Sequence, residues 1–253
     1  MKNNLFSIGG FTIHGYGLMI GIGFLAAYLL SDYRAKKKGL DPDHVFGLAA
    51  WAIGIGLVSA KLLYYITTID EIMENPRLLL DIPNGFVVYG GIIGGIIGGY
   101  GYCRKYCLDF LKYVDLVMPA VALAQGFGRL GCFLAGCCYG RQTQGAFAVI
   151  FTESAYAPNH VPLLPTQLMS SGLNFLHFFF LIWLSGRTAH DGQTGAMYLI
   201  CYSVGRFIME FFRGDLIRGS VGALSTSQFI SLFMAAAGII LMAVSRRAAG
   251  KTE

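Results

Sequence analysis

Seven apolar runs, at roughly 11–31, 46–68, 86–102, 113–138, 166–186, 194–213 and 224–245, divide this chain. A helix needs about 20 apolar residues to cross bilayer hydrocarbon, where each span must also satisfy its own backbone hydrogen bonds. The pattern therefore predicts an all-α polytopic membrane protein with about seven transmembrane helices. It forms a single transmembrane helical domain over 1–253, with a loop at about 141–165. Charge content agrees: 13% of the 253 residues are Asp, Glu, Lys or Arg, against about 25% in soluble proteins. Mean hydropathy is +0.58. No cleavable signal peptide is expected, because the first run is itself long enough to span. The net charge of +5 makes no case for a nucleic-acid partner.

Loop charges set the expected orientation, since Lys and Arg favour the cytoplasmic side. One set of loops holds Arg34, Lys36, Lys37, Lys38, Arg104, Lys105, Lys112, Arg187, Arg246, Arg247 and Lys251. The opposite set holds only Lys2, Arg77, Arg141, Arg213 and Arg218. The N-terminus is then outside and the C-terminus cytoplasmic.

The informative residues are the polar ones inside the apolar runs. Arg129 lies in Gly126-Phe-Gly-Arg-Leu-Gly-Cys-Phe-Leu-Ala-Gly-Cys-Cys-Tyr-Gly140. A cation at a bilayer centre costs about 2.5–3.5 kcal/mol on insertion scales, so it needs a counter-charge. That is either a buried carboxylate or a bound anion such as phosphate, which a guanidinium holds through two parallel hydrogen bonds. In the sixth run Tyr202, Arg206 and Glu210 follow one another at intervals of four and share a helix face. Arg206 and Glu210 can neutralise one another. His14 and Tyr16 open the first run, and packing or interface anchoring competes with function for both. Lys61 lies near the end of the second run, where it can snorkel to headgroups. Tyr89 opens the third run, whose Gly90, Gly94 and Gly98 repeat reads as a helix-packing face. Thr166 and Gln167 open the fifth run, whose Phe175, Phe178, Phe179 and Phe180 read as lipid-facing.

With the expected orientation, Lys61, Arg129, Arg206, Glu210, His14, Tyr16, Tyr89 and Gln167 all fall in the outer half of the membrane. A single polar cavity open to the outer leaflet accounts for that shared depth. A phospholipid headgroup is the anion available there. The 25-residue stretch 141–165 reads as a surface element or a gate.

The six cysteines are Cys103, Cys107, Cys132, Cys137, Cys138 and Cys201. No histidine joins them at metal-ligand spacing, so no zinc site is expected, and buried free thiols acting as small apolar residues are the default. A Cys132–Cys137 disulfide stays open.

His14-Gly-Tyr-Gly-Leu18, Gly90-Gly91, Gly128-Arg-Leu-Gly131 with Gly140, Pro165-Thr-Gln167 and the stretch Tyr202–Asp215 together resemble the bacterial prolipoprotein diacylglyceryl transferases, over nearly the whole chain. The resemblance implies seven transmembrane helices in the bacterial cytoplasmic membrane, N-terminus outside. It implies transfer of the diacylglyceryl group of phosphatidylglycerol to the lipobox cysteine of a preprolipoprotein signal peptide. Tyr16, Arg129, Gly140, Tyr202, Arg206 and Glu210 match functional positions of that family. This chain departs from the pattern in carrying Tyr89 where a histidine is common, Cys132 where an asparagine is common, and Ala135-Gly-Cys137 where Asn-Gly-Glu is common. Those changes bear on proton transfer, for which His14, Tyr89 or a thiolate is a candidate. Arg129, Tyr16, Gly140, Arg206 and Gln167 are the expected phosphatidylglycerol contacts. Arg129, Arg206, Glu210, Tyr202, His14 and Tyr89 are the expected catalytic set, without metal or organic cofactor. Two other readings compete: a transferase using one of its own cysteines as nucleophile, and a non-catalytic phospholipid-binding or transport relative.

Overall fold

The computed structural model describes residues 4–8, 11–81, 84–215, 219–222 and 224–249. Lys2, Arg218 and Lys251 of the loop-charge argument lie outside them. Among the described residues the chain is helical, with three short two-stranded hairpins (β1 Asn4–Ile8 with β2 Phe11–His14, β3 Val149–Ile150 with β4 Pro162–Leu163, β5 Ser220–Val221 with β6 Leu224–Ser225). The helices are α1 Gly15–Lys37, α2 Asp43–Thr67, α3 Ile69–Glu74, α4 Val88–Lys105, α5 Phe110–Ala135, α6 Thr166–Ser185, α7 Gln193–Glu210 and α8 Thr226–Ala249. Five of them (α1, α2, α5, α6 and α8) are long and apolar enough to cross a membrane. The first apolar run is only partly helical. Residues 11–14 form β2, so His14 ends a strand and α1 begins at Gly15.

Two compact units emerge, residues 32–113 and the remainder. In the first, α2 packs on α4 through the glycine repeat. A Cβ at Gly90 would meet the Ser59 carbonyl oxygen at 2.5 Å, and one at Gly98 the Trp51 carbonyl oxygen at 2.9 Å. Backbone therefore lies against backbone, as small-residue faces permit. Lys61 does not snorkel freely. Its Nζ donates to the Asp81 carbonyl at 2.6 Å and to that of Asn84, and sits 5.0 Å from the Tyr64 and Tyr65 ring centres. The loop after α2 thus consumes this cation. Tyr89, half-buried in the first turn of α4, also belongs to this unit.

The other unit holds the start of α1 with α5, α6, α7 and α8. Asp115, 4% exposed, accepts from the Gly192 and Gly195 amides at 2.8 Å each. A carboxylate on one helix thereby caps the N-terminus of another, where the dipole and orphan amides favour it. Close approach again needs glycine: a Cβ at Gly126 would strike the Phe175 ring at 2.6 Å, and one at Gly131 would meet the Tyr16 carbonyl at 3.2 Å. Ser171 Oγ donates to the Gly126 carbonyl at 2.9 Å and ties α6 to α5. The lipid-facing reading of α6 is thus corrected in part. Phe175 stacks edge-on with Phe127, and Phe178 packs on Ala122, Leu181 and Tyr198, whereas Phe179 and Phe180 are exposed. Residues 141–165 are a surface element with its own small core of Phe151, Ala157 and Leu163.

Candidate active site

The site is built where α5 and α7 end and α6 begins. Helix α5 stops in a Schellman turn: the Gly136 amide donates to the Phe133 carbonyl at 3.2 Å and the Cys137 amide to the Cys132 carbonyl at 3.1 Å. Gly136 has φ +74°, the left-handed conformation this turn requires. Such a turn folds the residue after the glycine back onto the last helical turn, bringing Cys137 beside Cys132. Cys138, also left-handed at φ +59°, brings in a third thiol. The three sulfur atoms lie within 4.8 Å of one another. Gln167 Nε2 donates to the Cys137 carbonyl at 2.8 Å and Thr166 Oγ1 to the Cys138 carbonyl at 3.0 Å, fixing the turn to the start of α6.

Beyond the turn, residues 139–143 run between two strand-like neighbours. Gly140 and Leu164 bond on one side (N–H to O, 3.0 Å), and Arg141 bonds to the Phe212 carbonyl at 3.0 Å on the other. Gly140 is wedged here: an added Cβ would lie 2.5 Å from the Leu164 carbonyl oxygen. Its place in the site is to let these backbones meet.

A cavity of about 300 Å³ opens between α5, α6 and α7. Arg129, Tyr202 and Arg206 line it together with apolar side chains such as Leu173, Leu176 and Phe180. Its lining on α6 runs from Ser170 to Phe180, about 15 Å of helix at 1.5 Å per residue. Arg206 is neutralised within the fold: Nη1 stands 2.7 Å from Glu210 Oε2, and Nη2 donates to Ser227 Oγ on α8 at 2.6 Å. Arg213 forms a bidentate pair with Asp215, Nε–Oδ1 2.8 Å and Nη2–Oδ2 2.6 Å. Burial opposes the Arg213 cation, but its bonds to Asp215 outweigh that and raise its pKa further. Among the described residues Arg129 has no hydrogen-bond or ion-pair partner, although Arg206, Cys138 and Tyr16 are within electrostatic reach.

The fold therefore brings Tyr16, Arg129, Tyr202, Arg206, Glu210, Gly140 and Gln167 into one unit. Their positions differ. Tyr16 is exposed at the start of α1, Gln167 is 1% exposed and turned to the cysteine turn, and Glu210 reaches the cavity through Arg206. His14 is exposed at the end of β2. Tyr89 and Lys61 are in the other unit. Sequence reasoning missed four features. Arg213 was counted as a loop charge, yet it is nearly buried. Asn174 and His177 line the cavity from a helix read as greasy, with His177 stacked on Tyr198 at 5.2 Å and Tyr198 on Tyr202 at 5.8 Å. The thiol cluster was missed because spacing rules seek histidines; the signal present was Gly136 flanked by Cys132 and Cys137.

The chain matches the family model for prolipoprotein diacylglyceryl transferase over residues 3–244. It is 52% identical over 246 residues to the phosphatidylglycerol–prolipoprotein diacylglyceryl transferase of Clostridium tetani (strain Massachusetts / E88), covering 97% of this chain and 98% of that one. It is 44% identical over 248 residues to phosphatidylglycerol–prolipoprotein diacylglyceryl transferase 2 of Clostridium perfringens (strain 13 / Type A), covering 97% and 96%. A similarly named protein of Chlorobaculum tepidum (strain ATCC 49652 / DSM 12025 / NBRC 103806 / TLS) is 34% identical over 271 residues, covering 100% and 93%. Arginines set among glycines, a cavity lined by Arg129 and Arg206 and these full-length matches agree: the chain belongs to the prolipoprotein diacylglyceryl transferase family.

Proposed function

We propose that this protein transfers the diacylglyceryl group of phosphatidylglycerol to the lipobox cysteine of preprolipoproteins, releasing glycerol phosphate. The names of its relatives support the reaction. The observation that carries the site is Arg129, which has no hydrogen-bond or ion-pair partner among the described residues and lines a cavity that also has apolar side chains.

Arg129 holds the phosphate of phosphatidylglycerol, with Arg206 beside it and the diacylglyceryl part along α6. The incoming thiol loses its proton, since the thiolate is the nucleophile. Its sulfur attacks the glycerol carbon that carries the phosphate. The S–C bond forms, the C–O bond breaks, and the electron pair leaves on the phosphate oxygen. Charge grows on that oxygen in the transition state, where preorganised guanidinium groups are most effective. Glu210 orients Arg206, Tyr202 and Tyr16 position the headgroup, and Gly140 and Gln167 hold the loop that frames it. His14, two residues before Tyr16, and Tyr89 are the protein groups to test as proton acceptors.

The same reading places the protein in the bacterial cytoplasmic membrane as a multi-pass protein. Seven helices span it, with the N-terminus outside, the C-terminus cytoplasmic and the site toward the outer leaflet. The basic last turns of α1, α4 and α8 support that orientation. The test is transfer from radiolabelled phosphatidylglycerol to a lipobox peptide by the detergent-purified protein. Thioether-linked lipid on the peptide with glycerol phosphate released is the expected result; bound phosphatidylglycerol without transfer would overturn it.

A further inference from the structure

The transfer mechanism leaves three thiols unused. Cys132, Cys137 and Cys138 form no disulfide among the described residues, are partly buried, and lie within 4.8 Å of one another at sulfur. Simple packing does not account for how they are held. Cys138 keeps a left-handed backbone, φ +59°, a conformation that non-glycine residues adopt only rarely. Gln167 and Thr166, 1% and 2% exposed, spend a hydrogen bond each on the carbonyls of Cys137 and Cys138. The Schellman turn fixes Cys132 against Cys137. Convergence of the three sulfurs is enforced from both sides of the loop.

We propose that Cys132, Cys137 and Cys138 bind one Zn²⁺ as three thiolates and present its fourth coordination position to the thiol of the incoming lipobox cysteine. Catalytic zinc sites take three protein ligands and keep one position open. Thiolate ligands select zinc among the common divalent ions, and the step required is not a redox step. With Zn–S bonds of about 2.3 Å in a tetrahedron, sulfurs lie roughly 3.8 Å apart. The cluster therefore closes on the ion by movements of about 1 Å. Three thiolates and Zn²⁺ carry a single negative charge, which Arg213 and Arg129 within electrostatic reach offset.

The proposal rests on the transferase reading for its consequence. A thiol bound to zinc is deprotonated outright, so binding the acceptor releases its proton to water and holds the sulfur as thiolate. That sulfur forms the S–C bond to the glycerol carbon while the C–O bond to phosphate breaks and its electron pair leaves with glycerol phosphate. The thioether product is neutral, is a weaker ligand than a thiolate, and departs, leaving the ion on its three cysteines. No oxidant or reductant enters.

The experiment uses the full-length protein, purified under reducing conditions and loaded with Zn²⁺ or Co²⁺. A single zinc per chain is expected by elemental analysis, falling to about a tenth or less in C132S, C137S or C138S. Co²⁺-loaded wild-type protein should show sulfur-to-cobalt charge-transfer absorption and tetrahedral d–d bands. The d–d bands should shift on adding a lipobox peptide and stay unchanged with the same peptide carrying Ser for Cys. These wild-type spectra do not depend on any variant folding. Failure to retain metal while all three thiols titrate as free would overturn the site. Retained cobalt blind to the peptide would overturn the open position, and lipid found attached to one of the three cysteines would replace metal activation with a covalent route. A peptide-dependent spectral shift without lipid transfer would leave the metal site standing and sink the transferase reading instead.

Discussion

Arg206 and Glu210 face each other across one turn of α7 at 2.7 Å, with side chains only 14% and 11% exposed. The two charges cancel where neither can reach bulk water. Removing one partner leaves the other buried and uncompensated, which costs about 3–5 kcal/mol, whereas an apolar pair of similar volume is often neutral. Glu210→Ala is therefore expected to lower the midpoint of thermal unfolding in detergent sharply. The double variant Arg206→Met with Glu210→Leu should recover most of that loss while remaining inactive. A Glu210→Ala protein as stable as the parent would show that solvent already screens the pair.

Arg129 should behave in the opposite way. It has no partner among the described residues, so Arg129→Ala removes a half-buried charge without stranding another. Unfolding temperature should stay the same or rise. Loss of a donor that acts on transition-state charge typically costs about 10²–10³-fold in rate, and transfer from phosphatidylglycerol should fall by that order. Arg129→Lys keeps the charge but not the two-pronged geometry, so its activity should lie between. If Arg129→Ala is instead destabilised like Glu210→Ala, the guanidinium serves the fold and not the lipid.

The glycines near the site divide by what surrounds them. A Cβ at Gly140 would fall 2.5 Å from the Leu164 carbonyl oxygen, whereas one at Gly128 would meet nothing within 4 Å. Gly140→Ala should cost about 1–3 kcal/mol by overpacking, seen as a lower unfolding midpoint. Gly128→Ala, inside α5, should gain up to about 1 kcal/mol from helix propensity alone. Any fall in transfer rate in that stabilised variant identifies Gly128 as a point of close lipid approach.

Much of this was legible before any coordinates. The apolar runs foretold the long helices because burial in hydrocarbon leaves a chain few other options. Arg129 and Arg206 stood out because a cation in such a run is expensive. The illegible parts depended on contacts between distant segments. Nothing local marks Asp115 as a cap for amides 77 and 80 residues away. His14 was read into a helix because a β-hairpin strand and a helix start share an apolar composition. Arg213 looked like a loop charge until Asp215 and the end of α7 enclosed it.

The cavity itself is open to a steric test. Gly205 lines it, and a Cβ there meets nothing within 4 Å, so a larger side chain can enter without displacing protein. Gly172, exposed on α6, is equally unobstructed but does not line the cavity. Gly205→Leu should therefore leave the unfolding midpoint unchanged or raise it, since both backbones are helical and lose a glycine, while occupying the space assigned to the lipid. Transfer should fall about tenfold or more, the scale of a misplaced substrate, with Gly172→Leu retaining parental activity. Equal activity in both variants would move the diacylglyceryl group out of this cavity, because a filled site cannot hold its substrate as before.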